Sequence, residues 1–199
     1  MTLRCATTNP GKLREFHMAA GRLGYPEIDI QPLPGMREIE PCVEDGATFE
    51  ANAVKKALHY SRYTEDPIFA DDSGLEVDAL HGEPGVYSAR YSPEGTDPAN
   101  NRLVLERMQG VEERTARFVC VIALARKGEL LATFRGAVEG EIARGESGPN
   151  GFGYDPLFHY PPFGCTFGEA SADRKMAVSH RGQAIGALLA YFRRSFHIE

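Results

Sequence analysis

The chain has 199 residues, 42% hydrophobic and 25% charged, with a formal net charge of −6. These are ordinary values for a globular protein, and the acidic balance excludes bulk binding to a nucleic-acid polymer, which needs a basic face. No run of about 18 apolar residues occurs, which excludes a membrane-spanning helix.

The opening Met1–Lys12 turns polar too early for a secretory leader, so a cytoplasmic protein is expected. Cys5, Cys42, Cys120 and Cys165 lie far apart with no C-x-x-C pair, a spacing that predicts free thiols in a reducing compartment. One domain over residues 1–199 is expected, and two small lobes on a shared core are the other arrangement of that length.

In chain order, Leu3–Ala6 reads as a short strand, Thr7–Gly11 as a turn and Lys12–Ala20 as a helix closed near Gly21. Glu27–Leu33 is extended. Thr48 caps a helix whose face is Phe49, Ala53, Ala57 and Tyr60. Pro67–Asp71 is a strand, and the alternation of Leu75, Val77 and Ala79 predicts another. Asp97 and Pro98 form a cap and first position for a helix to Met108, with Gly110 beyond it. Arg114–Ala125 and Glu129–Glu139 alternate and meet at Lys127-Gly128, which predicts a hairpin. Gly140–Gly153 is a glycine-rich segment. Ile185, Leu188, Leu189 and Phe192 mark a closing helix. Mixed strands and helices with an antiparallel hairpin give an α/β or mixed α+β fold around a long mixed sheet.

Four segments carry chemistry. Thr7, Thr8, Asn9, Pro10, Gly11 and Lys12 join strand to helix, where unpaired N–H groups and a lysine suit phosphate. Leu13 follows the lysine, so this is no P-loop, and a capped turn with a surface lysine is the plainer reading. Asp71-Asp72-Ser73-Gly74 follows the apolar Ile68–Ala70. Adjacent carboxylates repel unless a cation lies near; they are the ligands Mg²⁺ takes, and one of them can accept a proton from water. Alternation along a strand directs only one of them to a metal; an acidic turn is the competing reading. In Gly148–Pro156, Phe152 or Tyr154 offers a ring for a base beside Gly153, and Asp155 an acceptor for ring N–H groups; a plain glycine-rich turn fits equally. Lys175 and Ser179-His180-Arg181 place cations at the start of the last helix, against the macrodipole, which suggests an anionic or carbonyl-bearing ligand. His17, His59 and His197 read as surface or core residues, and Glu112, Glu113 and Arg114 as a solvated turn.

Together these segments resemble the Ham1/RdgB-type inosine triphosphate pyrophosphatase family. The matching stretches are T-T-N-P-G-K at Thr7, the run from Asp71 to Ser92, G-F-G-Y-D-P-L-F from Gly151, T-F-G-E from Thr166 and S-H-R-G-Q-A from Ser179. The resemblance implies an elongated mixed sheet flanked by helices, two lobes around a central cleft, and a homodimer. It implies Mg²⁺-dependent attack of water between the α- and β-phosphates of a deaminated purine nucleoside triphosphate such as ITP, dITP or XTP. Thr7, Asn9 and Lys12 then hold the triphosphate. Asp72 binds metal and accepts the proton, Ser73 contacts substrate, and Phe152 to Asp155, Lys175, His180 and Arg181 bind nucleotide and base. The family's other metal carboxylate lies in a pattern resembling E-E-[T/D]-G. Here Cys42-Val43-Glu44-Asp45-Gly46 puts valine at the first glutamate. Glu44 is the expected ligand, with Glu40, or greater reliance on Asp72, phosphate and water, as alternatives. A Maf-like pyrophosphatase and a non-catalytic nucleotide binder are the competing functions; the S-H-R segment and the paired aspartates weigh against them.

Overall fold

The computed structural model describes residues 1–196; His197 lies outside them. In chain order the elements are β1 (Thr2–Cys5), α1 (Pro10–Leu23), β2 (Asp29–Pro32), α2 (Phe49–Tyr60), β3 (Ile68–Val77), α3 (Asp97–Arg107), β4 (Thr115–Arg126), β5 (Glu129–Ile142), β6 (Phe158–Tyr160), β7 (Cys165–Thr166), α4 (Ala172–Val178) and α5 (His180–Ser195). The strands form one mixed sheet in the order β2-β1-β3-β4-β5-β6-β7. β1 runs parallel to β2 and β3, while β6 is antiparallel to β5 and β7. The fold is therefore mixed α/β, as expected.

Local chemistry accounts for most boundaries. Pro10 opens α1 behind the Asn9 cap. The helix runs past Gly21 because its left-handed stop comes at Gly24, φ 71°. Thr48 caps α2 by accepting from the Ala51 N–H at 3.1 Å. On α3, Thr96 rather than Asp97 holds the cap position and Asp97 becomes the first helical residue. Lys127 and Gly128, at φ 52° and 82°, make the two-residue turn between β4 and β5. β5 continues past Glu139 to Ile142, into the glycine-rich segment that starts at Gly140.

Three regions depart further from the sequence reading. The two short strands expected around Asp71 are one ten-residue strand, β3, and Ala79 lies in a short turn of 3₁₀ helix. The closing helix is α5, but Lys175 lies in a separate helix, α4, because Ser179 is extended (ψ 153°) and divides the two. Arg114 is not a solvated residue. Its guanidinium donates to the carbonyls of Ile142, Met108, Val111 and Ala143 at 2.6, 3.0, 3.2 and 3.0 Å, while Glu112 and Glu113 are exposed. His17 and His59 each bond a backbone carbonyl, those of Ile30 and Glu40.

The chain divides into two compact units, one of residues 1–72, 120–136 and 180 onward, the other of residues 73–119 and 137–179. In the first, α1 packs along α5, burying Phe16 and Ala19 together with Leu188, Leu189 and Phe192. Phe16 meets Phe69 of β3 edge to face at 5.0 Å. Each such ring stabilises by about 1.5–3 kcal/mol through burial, with roughly 0.5–1.5 kcal/mol more from a well-set pair. The second unit is built on Leu75, Val77, Val104, Met108, Phe118, Ile142, Leu157, Phe158 and Phe167. Phe158 lies 4.5 Å from Phe118 and 5.0 Å from Phe167, centroid to centroid. All four cysteines are free, and among the described residues no helix is long and apolar enough to cross a membrane.

Candidate functional site

The first unit sets two opposed helix features against the end of β1 and the middle of β3. At the head of α1, Asn9 Oδ1 accepts from the N–H groups of Gly11 and Lys12 at 2.8 and 3.1 Å, and Thr7 Oγ1 accepts from Asn9 N–H at 3.2 Å. This fixes the turn Thr7–Lys12 and leads Lys12 to Asp71, Nζ to Oδ2 2.8 Å.

The two adjacent aspartates are held in different ways. Asp71 is buried and faces Lys12 and, at 3.9 Å, the Arg181 Nε. Burial alone would raise its pKa, but Lys12, Arg181 and Lys56 together bring it down to about 2. Asp72 accepts from Asn52 Nδ2 at 3.0 Å and lies 3.7 Å from Lys56 Nζ. Here burial outweighs Lys56 and the Asn52 hydrogen bond, and the carboxyl pKa is raised. The two neighbouring carboxyls are thus driven in opposite directions, Asp71 toward the ionised form and Asp72 toward easier protonation.

α2 supplies the groups that arrange this. Asn52 Oδ1 accepts from Gly46 N–H at 2.8 Å while its amide donates to Asp72, so one side chain ties the Glu44–Gly46 segment to β3. One turn on, Lys56 Nζ lies 2.7 Å from Glu44 Oε2. Asp71, Asp72 and Glu44 overcome its burial and raise its pKa, keeping it charged. Two carboxylates, Glu44 and Asp72, thus converge on one cationic position. Val43 is 67% exposed and takes no part.

A cavity of about 340 Å³ opens among these groups, lined by Thr7, Thr8, Asn9, Lys12, Glu44, Lys56 and Asp71, with Met36, Arg37, Ile39, Cys42 and Tyr60 among its other walls. That volume and its few converging polar groups suit a small ligand. Pro10 and Gly11, the first residues of α1, and Asp72 are not part of the lining, nor is Glu40.

His180 and Arg181 open α5 and are both buried. The Arg181 guanidinium is held by Glu15 of α1 and faces Asp71. Arg181, expected at the nucleotide, is thus placed between Glu15 and Asp71.

The remaining expected residues belong to the second unit, where β3 continues with Ser73. Tyr154 is a core residue, its hydroxyl donating to Ser88 O at 2.7 Å. Phe152 keeps a partly exposed ring. Asp155 is buried, accepting from Phe152 N–H at 2.9 Å and from Lys175 Nζ at 2.5 Å. Lys175 also sits 5.1 Å from the Phe152 ring centre. Gly151, at φ 77°, leaves room for this: a Cβ there would lie 2.1 Å from Asp155 Oδ2. Gly153 is pinned by Asp97 Oδ2, 2.8 Å from its N–H, and by Asn101 Nδ2, 3.2 Å from its carbonyl.

Sequence reasoning missed Glu15, Asn52, Lys56 and Arg37. For Asn52 and Lys56 a signal existed: polar residues four apart, directly beside the apolar stripe of α2. Glu15 and Arg37 had none.

The sequence profile of the Ham1 family matches residues 3–191. A protein of Syntrophobacter fumaroxidans called dITP/XTP pyrophosphatase is 50% identical over 181 residues, 90% of this chain and 77% of the relative. One of the same name from an Exiguobacterium species is 48% identical over 191 residues, 96% of each chain. Among solved structures, the Staphylococcus aureus Ham1 protein superposes with a TM-score of 0.86 at 37% identity, covering 98% of this chain and 100% of that one. The turn, the aspartate pair and the Gly151–Asp155 loop described above all lie within the matched span, and the chain belongs to the Ham1 family.

Proposed function

We propose that this protein is a nucleoside-triphosphate pyrophosphatase that hydrolyses deaminated purine nucleotides, ITP, dITP and XTP, to the monophosphate and pyrophosphate. The observation that carries the reading is the aspartate pair, Asp71 on Lys12 and Asp72 on Asn52 and Lys56, beside a cavity lined by Thr7, Thr8, Asn9, Lys12 and Lys56. The relatives' shared name, dITP/XTP pyrophosphatase, supplies the substrate class.

The mechanism follows from the residues. Thr7, Thr8 and Asn9 offer polar groups to phosphate oxygens, and Lys12 and Lys56 offset charge that grows on the leaving pyrophosphate. Asp72, with its pKa raised, takes the proton of the attacking water. Asp71 stays ionised and keeps Lys12 and Arg181 in place. Among the described residues no group of three or more His, Cys, Asp or Glu side chains could hold a metal. Mg²⁺ asks for less, one or two carboxylates with phosphate and water, and Glu44 and Asp72, which both face Lys56 Nζ, are the carboxylates that would hold it. When bound, Mg²⁺ offsets phosphate charge and polarises the phosphorus under attack.

Phe152 is the ring offered to the base, steadied by Asp155 and Lys175. A keto oxygen at C6 is an acceptor that a donor can satisfy, whereas adenine's amino group meets that donor with another. A buried polar group left unpaired costs about 1–3 kcal/mol, which selects against ATP. A homodimeric state, supported by the family resemblance, and a cytoplasmic location, supported by the four free cysteines, belong to the same proposal. The test is a panel of ITP, XTP, dITP, GTP and ATP with Mg²⁺, assayed separately for pyrophosphate and phosphate. Pyrophosphate from the deaminated substrates at far higher kcat/KM than from ATP is expected; phosphate release, or equal use of ATP, would overturn the reading.

A further inference from the structure

The cavity of the first unit has three cationic side chains in its lining, Lys12, Lys56 and Arg37, against two carboxylates, Glu44 and Asp71. Lys12 is paired with Asp71 at 2.8 Å, and Lys56 with Glu44 at 2.7 Å and Asp72 at 3.7 Å. Arg37 is different. It follows Gly35, whose φ of 65° turns the chain into the short 3₁₀ helix Met36–Glu38, and it is exposed. It makes no hydrogen bond or ion pair among the described residues. With the other two cations matched by carboxylates, the positive balance of the lining rests on Arg37.

A polyphosphate chain carries its highest charge density at its terminal group. A guanidinium with no internal partner forfeits no ion pair when it turns to phosphate, and its planar fork suits two oxygens at once. We infer that Arg37 is a substrate-binding residue that grips the distal, pyrophosphate end of the triphosphate. This rests on the pyrophosphatase reading and adds to it a contact that lies outside the segments carrying the family resemblance. Because the side chain is exposed, the interaction weakens as salt screens it.

The experiment compares wild type, Arg37→Ala and Arg37→Lys in two assays at low and high ionic strength. The first is ITP turnover with Mg²⁺. The second is calorimetric binding of inorganic triphosphate and of IMP, which needs no turnover. Arg37→Ala is expected to raise KM for ITP and the Kd for inorganic triphosphate about three- to tenfold at low salt. The difference shrinks at high salt, IMP binding stays as in wild type, and Arg37→Lys recovers part of the loss. Equal triphosphate binding by wild type and Arg37→Ala, or a loss confined to IMP, overturns the inference. If wild type binds triphosphate through Arg37 but releases no pyrophosphate from any nucleotide, the contact stands and the pyrophosphatase reading fails.

Discussion

At the scale of single residues the decisive feature is that Asp71 and Asp72, adjacent in the chain, have opposite environments. Asp71 sits at about 2 in the folded protein against an ordinary value of 3.8. Its folded pKa is depressed, so its contribution is full above pH 3.8 and disappears as pH falls from there through 2. That linkage is on the order of 2 kcal/mol. Asp71→Asn should therefore unfold at lower urea than wild type at pH 7, and the gap between them should narrow below pH 4. Arg181 belongs to the same network. Arg181→Ala removes the buried cation paired with Glu15, while Asp71 keeps Lys12, at a cost of about 3–5 kcal/mol. Per folded molecule it should slow ITP and ATP hydrolysis by the same factor; a selective loss of ITP would restore it to the base edge. Phe152→Ala should weaken use of every purine triphosphate alike, by about 1–3 kcal/mol, since stacking ignores the base edge. A changed ratio of ITP to GTP in that variant would show that the ring reads identity.

The elements show which of these roles a sequence can announce. The turn Thr7–Lys12, the caps at Asn9 and Thr48 and the hairpin at Lys127-Gly128 are legible because each depends on neighbours in the chain. β3 is not. Asp-Asp-Ser-Gly is turn-like in composition and splits the strand in any local reading. It remains extended because charges from α1, α2 and α5 compensate its carboxylates, a tertiary effect that overrides propensity. Arg114 is illegible for a related reason: its four carbonyl partners lie on segments up to 29 residues away. The site divides the same way. Asp72, Glu44 and Lys12 are visible in motifs, whereas Lys56 and Asn52 acquire meaning only once α2 is laid beside β3. Packing between elements also sets a limit that can be measured. Gly136 of β5 passes so close to the start of α5 that a Cβ would lie 2.1 Å from the His180 carbonyl oxygen and 2.8 Å from Ala184 N, both backbone atoms. Gly136→Ala should cost about 1–3 kcal/mol by urea unfolding, the range for overpacking; an unchanged midpoint would mean that α5 yields freely.

For the molecule as a whole, an acidic chain meets a polyanionic substrate by local means: two lysines and an arginine at one cavity within a net charge of −6. Mg²⁺ is the proposed further cation, because Glu44 and Asp72 add negative charge beside phosphate that the chain's own cations already have to balance. Turnover should disappear in excess EDTA and return with Mg²⁺, and Glu44→Gln should raise the Mg²⁺ needed for half-maximal rate. Of the two adjacent aspartates, Asp72 is the one proposed to take the proton. The most direct measurement is pyrophosphate release from ITP by Asp72→Asn beside wild type, at equal concentrations of folded protein confirmed by thermal unfolding. The account predicts a loss of about 10²- to 10⁴-fold with the fold retained; a rate within a factor of a few of wild type would contradict it.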